Sequence, residues 1–100
     1  MVYLTQLVYV RPGHEKTFEA FEDVVLPLLS KYQGELVLRL RPERESFIAG
    51  TGEPPYEVHI VSFESEEDLA RYSNDEERQR SLPMKEASVS RTVLIKGRLG

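Results

Sequence analysis

The sequence predicts an α+β domain in which a four-stranded antiparallel sheet has helices on one face. Three observations predict it. Four segments rich in β-branched and aromatic residues alternate with stretches of helical periodicity in the order β-α-β-β-α-β. Right-handed crossovers convert this chain order into the spatial strand order 4-1-3-2. The length of 100 residues suits a single domain, 1–100, with one core.

The four predicted strands are recognised by residue type and alternation. Segment 2–10 is apolar on both of its faces, which is typical of a strand with a layer on each side. Segment 35–41 alternates strictly, with Leu36, Leu38 and Leu40 on one face, as expected of an edge strand. Segments 56–63 and 92–99 complete the sheet, and 42–55 is predicted to be a long loop.

Two helical segments follow the first and third strands. The first, 14–32, has an apolar stripe, and Pro27 inside it is expected to kink or loosen the helix. Its charged residues are predicted to lie elsewhere on the cylinder: Glu15, Lys16, Glu19, Glu22 and Asp23. Ser65 and the acids after it resemble a capping box for a helix that ends near Ser73. A further helical piece, capped by Asn74-Asp75, is expected to run from 76 to about 82 and to be disturbed by Pro83.

Composition limits the possible partners. The chain has no cysteine, so it has no disulfide or thiolate, and this is consistent with a reducing compartment. Its start does not resemble a signal peptide and no stretch is apolar enough to span a membrane, so we expect a cytoplasmic protein without membrane contact. The net charge of −4 and the scattered basic residues argue against nucleic acid. Arginines near the edge strands are expected to keep those edges soluble, with weak anion attraction as the alternative: Arg39, Arg41, Arg91 and Arg98.

A homodimer is predicted from the balance of apolar faces and helices. Two helices cover only one face of a four-stranded sheet, yet the two central strands are apolar on both faces. We call the uncovered side the open sheet face, with Leu7, Tyr9, Val58 and Ile60 predicted to lie on it. A patch of this kind usually marks an association surface, and a two-fold axis is the commonest way to bury it. A monomer with an apolar sheet face is the alternative.

Several short motifs give the chain a resemblance to a known superfamily. They are Val10-Arg11-Pro12-Gly13, Phe18, Phe21, Pro27, Tyr32-Gln33-Gly34, Phe63-Glu64-Ser65, Leu69, Tyr72, Asn74-Asp75-Glu76, Lys85-Glu86-Ala87 and Val93-Leu94-Ile95-Lys96-Gly97. With these residues the chain resembles the dimeric α/β-barrel superfamily, which includes the antibiotic-biosynthesis monooxygenases. A branch of unknown function with the same Pro-Tyr-Gly punctuation is most similar. The resemblance implies a ferredoxin-like βαββαβ fold that pairs into a dimeric α/β barrel, and fold alone does not give function.

The same resemblance argues against haem degradation. Haem-degrading members use an Asn on the first strand, a Trp at the end of the third and a His in the later helix. These positions correspond here to Gln6, Phe63 and about Ser81, and the chain contains no Trp. An axial haem ligand is therefore missing, and no cofactor is expected. With two distant histidines and no cysteine, no metal site is expected either.

One candidate pocket lies between the sheet and the helices. The resemblance places Gln6 and Phe63 on the helix-facing side, and strand parity adds His59, which lies four residues before Phe63. His59 is the candidate general acid or base, and Gln6, Phe63 and Tyr72 are candidate ligand-binding residues, with a hydroxyl supplied by Tyr72. The structural alternative is a core histidine that is hydrogen-bonded to Gln6.

Two functions remain open at this point. The first is the binding or transformation of a small apolar or aromatic metabolite in this pocket, by a cofactor-free protein that is monooxygenase-like or isomerase-like. The second is a non-catalytic dimeric module that acts through its surface. A cavity next to His59 favours the first function, and a filled core with His59 bonded to backbone favours the second.

Overall fold

The computed structural model describes residues 1–98, and it has the predicted architecture. The strands form one antiparallel sheet in the order β2-β3-β1-β4, which is the predicted order read from the other edge. The elements are β1 (Val2–Val10), α1 (Glu15–Val25), a 3-10 helix (Pro27–Tyr32), β2 (Gly34–Leu40), a 3-10 turn (Arg44–Ser46), β3 (Glu57–Phe63), α2 (Glu66–Ser73), α3 (Glu76–Ser88) and β4 (Val89–Gly97). The predicted end of the last strand at Leu99 lies outside the described residues.

The strand register determines which side chains face the helices. In β1, Gln6 lies opposite His59 of β3 on one side and Leu94 of β4 on the other. Side chains alternate along a strand, so Gln6 and His59 share a face with the buried residues Leu4 and Val61. This is the side that the helices cover.

A bulge in β2 corrects the predicted alternation of that strand. Leu36 pairs with Val61, but Leu38 pairs with Ile60, and the register shifts between Leu36 and Leu38. One extra residue moves the side chains of all later residues of the strand to the opposite face of the sheet. The three leucines therefore do not share a face, and Arg39 lies opposite His59 on the helix side.

The first helical segment changes type at its proline. Regular α1 ends at Val25, and a 3-10 helix begins at Pro27, as the expected loosening there predicted. The predicted N-cap of α2 is also confirmed, because the Asp68 N–H donates to Ser65 Oγ at 3.1 Å.

The break predicted at Pro83 is wrong. α3 is one continuous helix from Glu76 to Ser88, with Pro83 inside it. Pro83 lies on the exposed side of α3, so the Gln79 carbonyl that loses its N–H partner is free to bond to water. Asp75 caps α3 by accepting from the Arg78 N–H at 2.9 Å, and it also accepts from the Tyr32 hydroxyl.

The helices cover one face of the sheet, and the open sheet face has no helix on it within residues 1–98. Leu7, Val58 and Ile60 are half-buried there. Leu38 and Leu40, which β2 adds after its bulge, and Ile95 of β4 are exposed. Tyr9 departs from the prediction, because it is only 7% exposed and the Arg91 guanidinium lies 4.0 Å from its ring centroid.

The chain passes from the 3-10 helix into β2 through Gln33 and Gly34. Gln33 has φ 56°, a left-handed conformation that ends the helix. Gly34 serves a different purpose. A Cβ at this position would lie 2.8 Å from Cε1 of Phe63, which is fully buried.

Gly34→Ala is therefore expected to destabilise the fold by about 1–3 kcal/mol, the usual cost of overpacking a core. Phe63 cannot move away easily, because it packs against the buried Tyr72, with ring centroids 5.4 Å apart. Urea unfolding measures the change. Gly52→Ala is the matched control, since its Cβ would meet nothing within 4 Å. Equal stability of the two variants would contradict this account of Gly34.

Candidate functional site

A cavity of about 390 Å³ lies between the sheet and the helices. Its walls are mainly apolar, and the size is within the range of small-molecule sites. All four predicted site residues line it: Gln6, His59, Phe63 and Tyr72. The structure thus brings the predicted residues together around one space, and it adds several polar residues that the sequence reasoning did not select.

His59 is a buried histidine with no hydrogen-bond partner among residues 1–98. It is 7% exposed, and neither Nδ1 nor Nε2 has a donor or acceptor within bonding distance. Gln6 is its neighbour across the strands but does not bond to it. The structural alternative, a histidine bonded to Gln6, is therefore not observed. An unpaired imidazole on a cavity wall is available to a ligand.

Two buried glutamates, Glu22 and Glu57, lie beside His59. Each glutamate is only 1% exposed. His59 Nδ1 is 3.6 Å from Glu22 Oε2 and 3.9 Å from Glu57 Oε2, and both of these carboxylate oxygens have no hydrogen bond. The prediction that Glu22 lies away from the apolar stripe of α1 is wrong, and Glu57 was not among the predicted site residues.

The sequence contained a signal for both glutamates. Glu22 stands four residues after Phe18 and three before Val25, so it lies on the apolar stripe of α1 and not beside it. Glu57 precedes His59 by two residues and therefore shares its strand face. The charge of Glu22 led to its prediction off the apolar stripe, although the spacing places it there.

Arg39 connects the two glutamates. Its Nη2 donates to Glu22 Oε1 at 2.7 Å, and its Nε donates to Glu57 Oε1 at 3.2 Å. Arg41 adds a bond from Nε to Glu57 at 3.3 Å. The predicted role of these two arginines, to keep an edge strand soluble, is corrected: they neutralise buried carboxylates.

Burial and charge separate the proton affinities of Glu22 and His59. Burial raises the pKa of the Glu22 carboxyl to about 8, the neighbouring Glu57 carboxyl acts in the same direction, and Arg39 opposes both. Burial lowers the pKa of His59 below its ordinary value; the charge of Glu57 opposes this, and that of Arg39 adds to it. At neutral pH Glu22 therefore holds a proton and His59 does not.

Phe63 and Tyr72 form part of the cavity wall in different ways. Phe63 belongs to the hydrophobic core cluster, and it gives the cavity an apolar part of its wall. Tyr72 is buried, and its hydroxyl donates to the Val25 carbonyl at 3.0 Å. The hydroxyl proton of Tyr72 is therefore used in this hydrogen bond to α1, and only the hydroxyl oxygen and the ring are available to a ligand.

The cluster of Glu22, Glu57 and His59 also has the composition of a metal site. Three of their ligand atoms lie within 4.8 Å of one another. However, Arg39 already contacts both carboxylates and supplies a positive charge at this position. The arrangement therefore fits a proton-sharing carboxyl pair better than it fits a cation site.

Comparison with known proteins supports the fold and no activity. No protein-family model and no curated protein matches the sequence. Among solved structures, a protein of unknown function from Rhodopseudomonas palustris superposes with a TM-score of 0.83 at 18% identity, over 95% of this chain and 78% of that chain. A dimeric protein of unknown function from Bacteroides fragilis, described as having a ferredoxin-like fold, gives 0.66 at 13% identity, over 98% and 95%.

The chain has a ferredoxin-like fold. An antibiotic biosynthesis monooxygenase shares it, with a TM-score of 0.70 at 9% identity over 100% of this chain and 99% of that chain. The resemblance seen in the sequence is thus confirmed for the fold. Many unrelated activities use the ferredoxin-like fold, so function has to be argued from the cavity. None of the helices within residues 1–98 has the length and hydropathy needed to cross a membrane.

The proton on Glu22 predicts how stability depends on pH. Above its unfolded pKa of 4.5 the unfolded chain has lost this proton, while the folded chain keeps it up to a pKa of about 8. The free energy of unfolding should therefore fall from pH 6.5 toward pH 8, with an initial slope of about 1.4 kcal/mol per pH unit for one proton. His59 has the opposite effect, because its folded pKa is lowered, but only below its ordinary value of 6.5.

Urea unfolding at several pH values and one protein concentration measures this slope. Glu22→Gln should remove it. Asp23→Asn, an exposed acid on the same helix, should leave it unchanged. A slope that persists in Glu22→Gln would show that the titrating group is elsewhere.

Proposed function

We propose that the protein binds a small apolar or aromatic metabolite in this cavity and moves a proton on it without a cofactor. The observation that carries the proposal is a space of about 390 Å³ with mainly apolar walls that includes two buried titratable side chains with unpaired atoms, Glu22 and His59. Apolar walls with a few orienting polar groups are the usual composition of a ligand site.

Glu22 and His59 have the properties of an acid and a base. Neutral His59 accepts a proton from a C–H next to a carbonyl group of the ligand, and protonated Glu22 donates to the carbonyl oxygen. The product of this step is an enol, with His59 protonated and Glu22 ionised. In a ligand whose enol is conjugated with a second C=C bond, His59 returns its proton to the far carbon, Glu22 takes back the proton of the enol O–H, and the double bond has moved. No electron leaves the ligand. Glu57 and Arg39 act through Glu22 by holding its carboxyl and setting its proton affinity.

This proposal favours an isomerase-like reaction over a monooxygenase-like one. Proton transfer needs only the ligand and the two side chains, whereas oxygenation also consumes dioxygen. The proposal also favours ligand binding over the surface module. A filled core with His59 bonded to backbone would favour a surface module, whereas a cavity beside an unpaired His59 supports the other function.

A ligand of this cavity should raise the melting temperature of the protein. At 100 times its dissociation constant a ligand adds about 2.7 kcal/mol of apparent stability, and a thermal-shift screen of aromatic ketones and quinones detects this. Thr92→Trp places a large ring in the cavity from β4 and should abolish the shift. Thr51→Trp, in the exposed loop, should not.

Deuterium uptake tests the chemical step on any enolisable ligand found in this way. The wild type in D₂O should exchange the C–H next to the carbonyl group, as followed by proton NMR. His59→Ala should bind the ligand and lose at least about a hundredfold in exchange rate, the usual share of a general base. Full exchange by His59→Ala would remove His59 from the proposal, and a screen without any ligand would remove the cavity.

We also propose that the protein is a homodimer paired through the open sheet face. Leu38, Leu40 and Ile95 are exposed on this face beside the half-buried Val58 and Ile60. A solved structure with the same fold is described as dimeric. A second copy related by a two-fold axis would cover these residues with the same face of its own sheet.

Ile60→Glu should therefore convert the protein to a monomer, because a charge at the centre of a buried apolar interface loses its hydration without a partner. Sedimentation at micromolar concentration distinguishes the 11.5 kDa chain from its dimer. Ile48→Glu, at a loop position that is 96% exposed, is the control and should remain dimeric. A wild-type monomer would contradict the proposal.

A further inference from the structure

The side of α3 that faces the cavity is polar. Arg78 and Lys85 are seven residues apart, about two helical turns, and both line the cavity. The buried hydroxyls on α3, Ser81 and Ser88, donate to carbonyls of their own helix, Glu77 at 2.9 Å and Met84 at 2.7 Å. A helix that covers a core ordinarily presents an apolar stripe, and α3 presents two cations instead.

Neither cation has an acidic partner within residues 1–98. No carboxylate oxygen lies within 4.0 Å of the Lys85 Nζ or of the Arg78 guanidinium. Arg78 makes one long bond, from Nη1 to the Ser73 carbonyl at 3.4 Å, and its buried Nε has no partner. Its guanidinium carbon lies 5.1 Å from the ring centroid of Tyr72, which holds it on the cavity wall.

The positive charges of Arg78 and Lys85 repel each other in the folded protein. Burial lowers the pKa of Lys85, and the charge of Arg78 lowers it further. A structural role would be served better by apolar residues at both positions, because partly buried like charges cost free energy. An anion bound between Arg78 and Lys85 would attract both side chains, so the repulsion would be replaced by a net attraction.

This cationic pair is separate from the acid and base. The charges that act on Glu22 are those of Glu57 and Arg39, and the charge that acts on Lys85 is that of Arg78. The cavity has two sets of polar residues on different elements: Glu22 and His59 on α1 and β3, and Arg78 and Lys85 on α3. A ligand with an anionic group and an enolisable carbon would use both sets of residues.

We propose that Arg78 and Lys85 bind the carboxylate of the ligand, which is an apolar or aromatic acid. Arg78 supplies fixed N–H donors and Lys85 a mobile ammonium group, a combination that suits a carboxylate. The inference rests on the proposed function, since it specifies the class of molecule that occupies the same cavity.

Calorimetric titration with 2-naphthoate and its uncharged counterpart 2-naphthamide tests this. The two probes have the same ring and differ in charge, so wild-type protein should bind naphthoate at least about tenfold more tightly. Lys85→Met, which keeps the length of the side chain, should reduce this preference about tenfold without changing the affinity for naphthamide. Arg80→Gln, an exposed change on the same helix, should leave both affinities unchanged.

The melting temperature of the ligand-free protein gives a second readout. Lys85→Met removes one of two repelling charges, so it should raise the melting temperature by a few degrees while it weakens naphthoate binding. A lower melting temperature would show that Lys85 stabilises the fold, and it would overturn the inference.

The outcomes also separate this inference from the proposed function. Equal binding of naphthoate and naphthamide by wild-type protein overturns the carboxylate site and leaves the cavity as a ligand site. No binding of either probe overturns both.

Discussion

The burial of Glu22 and Glu57 against His59 is the constraint on which the rest of the site depends. Two carboxyl groups removed from water cannot both stay ionised without a counter-charge, and Arg39 provides it through one bond to each. Loss of the Arg39 guanidinium would leave Glu22 without its cationic partner and Glu57 with Arg41 alone. The arginine reaches this position only because the bulge in β2 reverses the strand, so that Arg39 and not a leucine faces the helices. The bulge in β2 therefore influences the pKa of Glu22, because it brings Arg39 to the Glu22 carboxyl.

The fold followed from the sequence because its signals are local and agree with one another. Apolar alternation identified the strands, Ser65 and Asp75 identified helix starts, and the connection rules gave the strand order. The bulge and the course of α3 were not predictable in this way. A bulge inserts one residue without a compositional mark, since Val37 suits either face of a strand. Pro83 was expected to disturb α3 because the sequence does not show that the carbonyl it frees faces water.

Some residues of the candidate site were predicted from the sequence and others were missed, and the difference has a physical reason. Strand parity placed His59 and Gln6 on the same side as Phe63, and the structure has all three on the cavity wall. Parity and helical spacing applied equally to Glu57 and Glu22, yet charged residues are so seldom buried that Glu22 was predicted off the apolar stripe and Glu57 was not selected. The partners that make their burial possible, Arg39 and Arg41, come from a strand whose facing depends on the bulge. Residues that break the usual distribution of charge are where a function is to be sought.

The bulge of β2 also bears on how this protein avoids uncontrolled self-association. β2 is an edge strand with several exposed apolar residues, and a straight strand of that kind is a template for further strands and for fibrils. The bend between Leu36 and Leu38 interrupts the row of backbone donors and acceptors that an incoming strand would need. Addition of copies along this edge, which could continue without limit, is therefore disfavoured, whereas the two-fold pairing proposed for the open sheet face would end with one partner.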